Sequence, residues 1–315
     1  VSTPRLRWST IVARLGLGLA LVGAVLWVLL DGGERPAFTF VPWAAAVSLL
    51  GSAAANAVTA RRWQLLSESL TATRLPYGVY FHHLATTRVL GQFLPSLVVD
   101  LVGRSAGLRS AGSADSVGRL VVPLVLERIL DLVLPAVLLG WAIAVQQGAL
   151  VDGAAWASLA AVLLGFGALA VPLLGPLARA ALWGRSWLRA RLHRDTETAI
   201  VPPVPTALAA RVSALSLGRW VTAMLQYWAA GTALGAGLSP LVVNAAAPTG
   251  QLAALVGITP GALGLQEGGW AGAMTLLGAD AGDIAVFILA MRGAMIVNFA
   301  VLAALSWRWR SASPP

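Results

Sequence analysis

Residues 92–104, QFLPSLVVDLVGR, interrupt an apolar run with Pro95 and then set Asp100 and Arg104 among valines and leucines. Residues 257–269, GITPGALGLQEGG, repeat the theme with Pro260 and Glu267. An arginine embedded in a hydrophobic run follows each break at nearly the same distance, 33 positions from Pro95 to Arg128 and 32 from Pro260 to Arg292. Charge at membrane depth is expensive. A duplicated, proline-broken, charged element there points to a substrate site.

Composition sets the frame. Of 315 residues, 58% are hydrophobic and 11% charged, and several apolar runs reach bilayer-spanning length. The chain therefore reads as a polytopic membrane protein with no stretch polar enough for a soluble domain. All 22 basic residues are arginine, which points to a GC-rich bacterial genome, and with the apolar runs the expected location is the bacterial cytoplasmic membrane. The chain has no cysteine, which removes disulfides, thiolate metal sites and cysteine nucleophiles.

Hydropathy gives full spans at 11–30, 41–60, 120–145, 154–176, 215–237 and 284–307. The first is long for a signal-peptide core and lacks a small-x-small cleavage pattern, so it reads as an uncleaved span. Arginines around these runs put both termini and the loops at 61–76 and 177–211 in the cytoplasm. On this topology 18 arginines are cytoplasmic, three (Arg88, Arg128, Arg292) lie at membrane depth, and only Arg35, beside the acidic turn at 31–34, is external. Trp183 and Trp187, with Arg185 and Arg189, are spaced for an amphipathic surface helix over 177–194.

Segments 77–110 and 240–278 each begin and end on one side, and each is broken by proline and glycine. Both read as re-entrant hairpins, tolerable where protein or water satisfies the freed backbone groups. The expected fold is an all-α membrane helical bundle, a single domain over 1–315. It has about six full spans plus two re-entrant helical hairpins arranged as an inverted repeat with halves 1–146 and 147–315. Ordinary extra crossings without symmetry are the alternative.

Glu127, Arg128 and Asp131 share one turn, where Arg128 can reach Asp131 at i+3 while Glu127 pairs elsewhere. These charges either lock helices together or meet substrate. Arg292 has no acid nearby on its own helix, so its partner is Glu267 or a substrate phosphate, whose oxygens suit the arginine fork. Pro260, Gly261 and Gly264 offer a sharp turn with free amides facing a ligand, or close helix packing. Asp100 and Arg104, spaced i+4, make a local pair or join Arg88 in the site, where Arg128 and Arg292 would hold a phosphate while Asp100, Glu127 and Glu267 orient them or meet a cationic headgroup. Arg88 stands one turn before Gln92, and Arg292 with Glu267 ranks ahead of Arg128 for the ligand.

Adjacent His82 and His83 point to different helix faces and make a poor metal site, so no metal or cofactor is expected. No Gly-x-Ser-x-Gly elbow, Ser-x-x-Lys motif or nucleotide-binding loop occurs, and no enzyme activity is expected. The net charge of +9 lines an apolar body, which favours anionic lipid headgroups over nucleic acid.

Taken in order, Arg61-Arg62-Trp63, Phe93-Leu94-Pro95 with Asp100 and Arg104, Glu127-Arg128, and Thr259-Pro260-Gly261 with Gly264, Glu267 and Arg292 carry a family likeness. The set resembles the flippase-like membrane proteins related to the transmembrane region of lysylphosphatidylglycerol synthase, over about residues 10–310. Two departures stand out: Val98-Val99 where the family often has paired glycines, and Gly261-Ala262 where it has Gly-Gly. The resemblance implies a lipid substrate, either an anionic phospholipid or a polyprenyl-phosphate-linked lipid, moved between leaflets. It also leaves open a non-transporting partner of a lipid-modifying enzyme or glycosyltransferase, and a membrane-embedded lipid transferase.

Overall fold

A computed structural model describes residues 8–30, 37–148, 152–191, 204–255 and 259–311, and every regular element among them is helical. The chain opens with α1 (Trp8–Leu30) and α2 (Pro42–Leu70). A broken hairpin follows, made of α3 (Tyr77–Phe93), the short α4 (Ser96–Val98), a π-helical turn (Val99–Gly103) and α5 (Arg104–Ser110). Next come α6 (Val117–Gln146), α7 (Asp152–Arg191) and α8 (Thr206–Ala233). A second hairpin of α9 (Pro240–Leu255) and α10 (Leu265–Leu276) leads into α11 (Ala281–Leu305). Two long helices, a hairpin and a long helix thus occur twice.

Four segments are long and apolar enough to cross a bilayer: Pro42–Leu70, Val117–Gln146, Gly153–Ala181 and Ala281–Leu305. The protein is a multi-pass membrane helical bundle. α8 has 28 residues but carries Arg211 and Arg219, so hydropathy alone does not mark it. The acidic turn expected at 31–34, Arg35, His193 and Arg194 lie outside the described residues.

Each hairpin is held shut by close backbone approach. A Cβ added at Gly107 would meet the His83 ring at 2.5 Å, and one at Gly250 would meet Trp270 at 2.4 Å. The feet of each hairpin sit together. Thr73 Oγ1 bonds Asp115 Oδ2 and Ser113 Oγ, both at 2.7 Å, beside the first hairpin. At the second, Gly237 N–H donates to Asp283 Oδ1 at 2.8 Å.

The two hairpins enter from opposite ends of α11. Asp283 lies in its first turn, whereas its far end meets the foot of α3, where His82 Nδ1 lies 3.1 Å from Ser306 Oγ and Phe81 packs edge-on against Trp309. This contact packs His82 against the end of α11. α2 and α8 lie antiparallel along a face of small residues. Gly51 approaches the Gln226 backbone so closely that a Cβ would sit 3.1 Å from its nitrogen.

Three helices differ most from expectation, and one is α8, which begins at Thr206, well before the span expected from 215. α2 continues past residue 60 to Leu70, because nothing between Arg61 and Leu70 breaks a helix. That carries Arg62 inside the bundle. α7 runs 40 residues through Pro172 and Pro176, so the expected surface helix is continuous with the span in its described part. At about 1.5 Å per residue it reaches about 60 Å, roughly twice the hydrocarbon thickness. Ala178, Ala180 and Ala181 follow Pro176 with no turn residue to stop the helix.

Candidate functional site

Arg292 is the twelfth residue of α11, near its middle, and both hairpin tips converge on it. Its Nε donates to Glu267 Oε1 at 2.8 Å, and Nη2 reaches the same oxygen and Gln266 Oε1. Nη1 donates to Gln92 Oε1 at 3.0 Å and to the Gly261 carbonyl at 3.1 Å. Glu267 is thus the partner expected for Arg292. Its second oxygen accepts the Gly264 N–H at 2.7 Å and caps α10.

Pro260 opens a tight turn in which Gly261, Ala262 and Gly264 take φ of 58°, 55° and 83°. Glycine suits the first and last. A Cβ at Gly261 would also lie 2.8 Å from the Gln92 carbonyl oxygen, and Gly261 N–H reaches the Leu94 carbonyl at 3.4 Å. Ala262 holds a left-handed conformation that costs a β-carbon residue about 1–2 kcal/mol. It is the position where the sequence departs from the family's paired glycines.

Behind the first hairpin lies a chain of buried ion pairs. Asp100, in the π turn, accepts from Arg128 Nη2 at 2.5 Å and lies 3.3 Å from Arg104. Arg104 forks onto Glu127 at 3.1 and 3.0 Å and stacks over Trp63, its guanidinium carbon 4.2 Å from the ring centroid. Arg62 Nη2 lies 3.2 Å from Glu127 and 2.8 Å from Asp131, as ionic contacts without aligned hydrogen bonds. Arg219 completes the chain at 3.0 Å from Asp131. Unpaired charge at this depth would cost several kcal/mol, so these groups hold the helices in register.

The expected Arg128–Asp131 pair does not form. Asp131 is taken by Arg62 and Arg219 from α2 and α8, and Arg128 turns to the hairpin instead. The result is more symmetrical than expected. Arg128 and Arg292 are each the twelfth residue of the helix after a hairpin, and each binds the acid of that hairpin's second arm. Arg62, Arg104 and Arg219, counted as cytoplasmic from sequence, belong to the buried network; Arg62 is 0% exposed.

A cavity of about 210 Å³ lies between the hairpins, walled also by α2, α6, α8 and α11. Arg88, Arg128, Arg219, Asp100 and Asp131 line it, with Gln92, Gln226, Tyr227, Gln251 and Gln266. Leu97, Met295 and Phe299 supply apolar wall. Of the residues singled out from sequence, Arg88, Asp100, Arg128 and Gly261 face this space. Arg104, Glu127, Pro260, Gly264, Glu267 and Arg292 stand behind it, so the sequence ranking of Arg292 and Glu267 ahead of Arg128 does not match their placement.

Arg88 differs from its neighbours. Its Nη2 reaches the Thr59 hydroxyl at 3.4 Å and its guanidinium sits 5.5 Å from the Phe299 ring centroid. Among the described residues it makes no salt bridge. The ion-pair chain has four arginines (62, 104, 128, 219) against three acids (100, 127, 131); with Arg88 the excess is two positive charges. The Arg292–Glu267 pair adds none. Sequence reasoning missed Arg62 and Arg219, and also Gln226, Tyr227 and Gln251, which no motif marks.

Tip-to-tip hairpins around an arginine-lined cavity in an apolar bundle define a multi-pass membrane protein. The chain belongs to the family of the lysylphosphatidylglycerol synthase transmembrane region, whose model matches residues 9–305. A search of curated proteins gives no match.

Proposed function

We propose that this protein binds the phosphate of an anionic phospholipid or polyprenyl-phosphate-linked lipid in the cavity between the hairpins and translocates that lipid across the bacterial cytoplasmic membrane. Both termini would face the cytoplasm, and no covalent step is required. The observation that carries this reading is the excess of two positive charges in and behind the wall of a mid-bundle cavity, with Arg88 in no salt bridge among the described residues. Arginine forks match phosphate oxygens, and the apolar wall of Leu97, Met295 and Phe299 suits a chain leaving the headgroup.

Purified protein in liposomes tests it through leaflet exchange of fluorescent phospholipid or polyprenyl-phosphate. Exchange that Arg88→Ala and Arg128→Ala abolish supports translocation. If no lipid exchanges and a lipid-modifying enzyme or glycosyltransferase co-purifies instead, the protein is a non-transporting partner. A covalent lipid product would make it a transferase.

A further inference from the structure

We infer that the lipid crosses alone with its negative charge uncompensated, so that the membrane potential, and no co-transported proton or cation, sets its direction. The inference rests on the translocation reading above and names its driving force. Two acids face the cavity, Asp100 and Asp131, and each is held by two arginines. Asp100 lies between Arg104 and Arg128, and Asp131 between Arg62 and Arg219. Glu127, behind the wall, is likewise shared by Arg62 and Arg104. The carboxamides of Gln92, Gln226, Gln251 and Gln266 and the phenol of Tyr227 add no further acid to the lining.

A proton or metal cation travelling with the lipid would have to take one of these carboxylates from two guanidinium groups, which stay protonated in proteins. It would also enter a region that already holds two positive charges in excess, Arg88 among them. One phosphodiester lowers that excess from two to one, so the site accepts the lipid's charge without a companion ion. The hairpins enter from opposite ends of α11, so a lipid that arrives by one face and leaves by the other carries its charge through the whole field. With the cytoplasm negative, anionic lipid is driven to the outer leaflet.

The test uses the full chain in liposomes under a potassium gradient with valinomycin. The probes are chain-labelled phosphatidylglycerol and a chain-labelled polyprenyl-phosphate sugar, both phosphodiesters with a single negative charge. Quenching of the outer leaflet reads the final distribution, which for a passive carrier does not depend on how the protein is oriented. One charge crossing the whole field should shift that distribution by about 50-fold per 100 mV, toward the positive side. A pH gradient applied at zero potential should leave it even. Chain-labelled phosphatidylcholine, which has no net charge, should distribute evenly under either gradient wherever the protein exchanges it.

Exchange that follows the pH gradient would mean that a proton accompanies the lipid, and it overturns the inference while translocation stands. So does exchange of an anionic probe that ignores both gradients, or a shift of phosphatidylcholine equal to that of the anionic probes. Absence of exchange for every probe removes the translocation reading itself.

Discussion

Gln92 Oε1 accepts a 3.0 Å hydrogen bond from Arg292 Nη1, 200 residues away, so one guanidinium in the middle of α11 touches both hairpin tips. Arginine suits that place because its planar fork offers five donors in fixed directions, where lysine offers a point charge. The join positions the turn at Pro260–Ala262 against the chain break at Leu94-Pro95. It thereby shapes one wall of the cavity.

Arg292→Met should destabilise the protein by about 3–5 kcal/mol, because it leaves Glu267 buried and unpaired. The double change Arg292→Met with Glu267→Met should recover much of that loss, since an apolar pair leaves no orphan charge. Unfolding in detergent measures both. A double variant no more stable than the single one would mean that the pair does not anchor the second hairpin.

Arg88 and Glu127 should separate function from fold. Arg88→Ala breaks no salt bridge among the described residues, so its melting temperature should stay near that of the parent while leaflet exchange falls by about tenfold or more. Glu127→Gln leaves Arg62 and Arg104 undercompensated and should lower stability by about 3 kcal/mol. Equal loss of stability in both variants would place Arg88 among the structural charges.

Ala262→Gly should stabilise the turn by about 0.5–1 kcal/mol, the relief of left-handed strain less the entropy that glycine loses on folding. Gly261→Ala should do the reverse, as its β-carbon would crowd the Gln92 carbonyl. Denaturant titrations of the two variants should shift in opposite directions.

Packing inside the second hairpin gives a fourth expectation. A Cβ at Gly269 would lie 3.0 Å from the Thr249 carbonyl oxygen and 3.1 Å from Gly250 Cα, backbone that has no room to yield. Gly269→Val should therefore cost about 1–3 kcal/mol. Gly272→Val, with nothing within 4 Å of its Cβ, is the control and should change stability far less.

Much of the architecture was legible because prolines and glycines mark the hairpins and charge marks their second arms. The repeated spacing from Pro95 to Arg128 and from Pro260 to Arg292 foretold two matched units, and the Arg292–Glu267 pair followed from the absence of any closer acid. Other parts were hidden by the same rules. Arg62 looked cytoplasmic because arginines usually end a span, yet adjacent Arg61 and Arg62 lie on different helix faces, and only Arg62 turns inward. Asp131 lay within reach of Arg128 along the helix, but three-dimensional packing brought two other arginines to it. The amides of Gln226 and Gln251 were illegible because an uncharged polar side chain in an apolar helix carries no period and no cost visible in sequence.

The tip-to-tip meeting of the hairpins also has a mechanical meaning. Each second arm is fastened to its own long helix by an ion pair, Asp100 to Arg128 and Glu267 to Arg292, whereas the Arg292–Gln92 and Gly261–Leu94 bonds across the join are hydrogen bonds alone. A seam of that kind is weaker than either edge it unites. Load applied to the bundle would part the tips before it unfastened the arms, and α6 and α11 would each carry a tip away as a rigid lever.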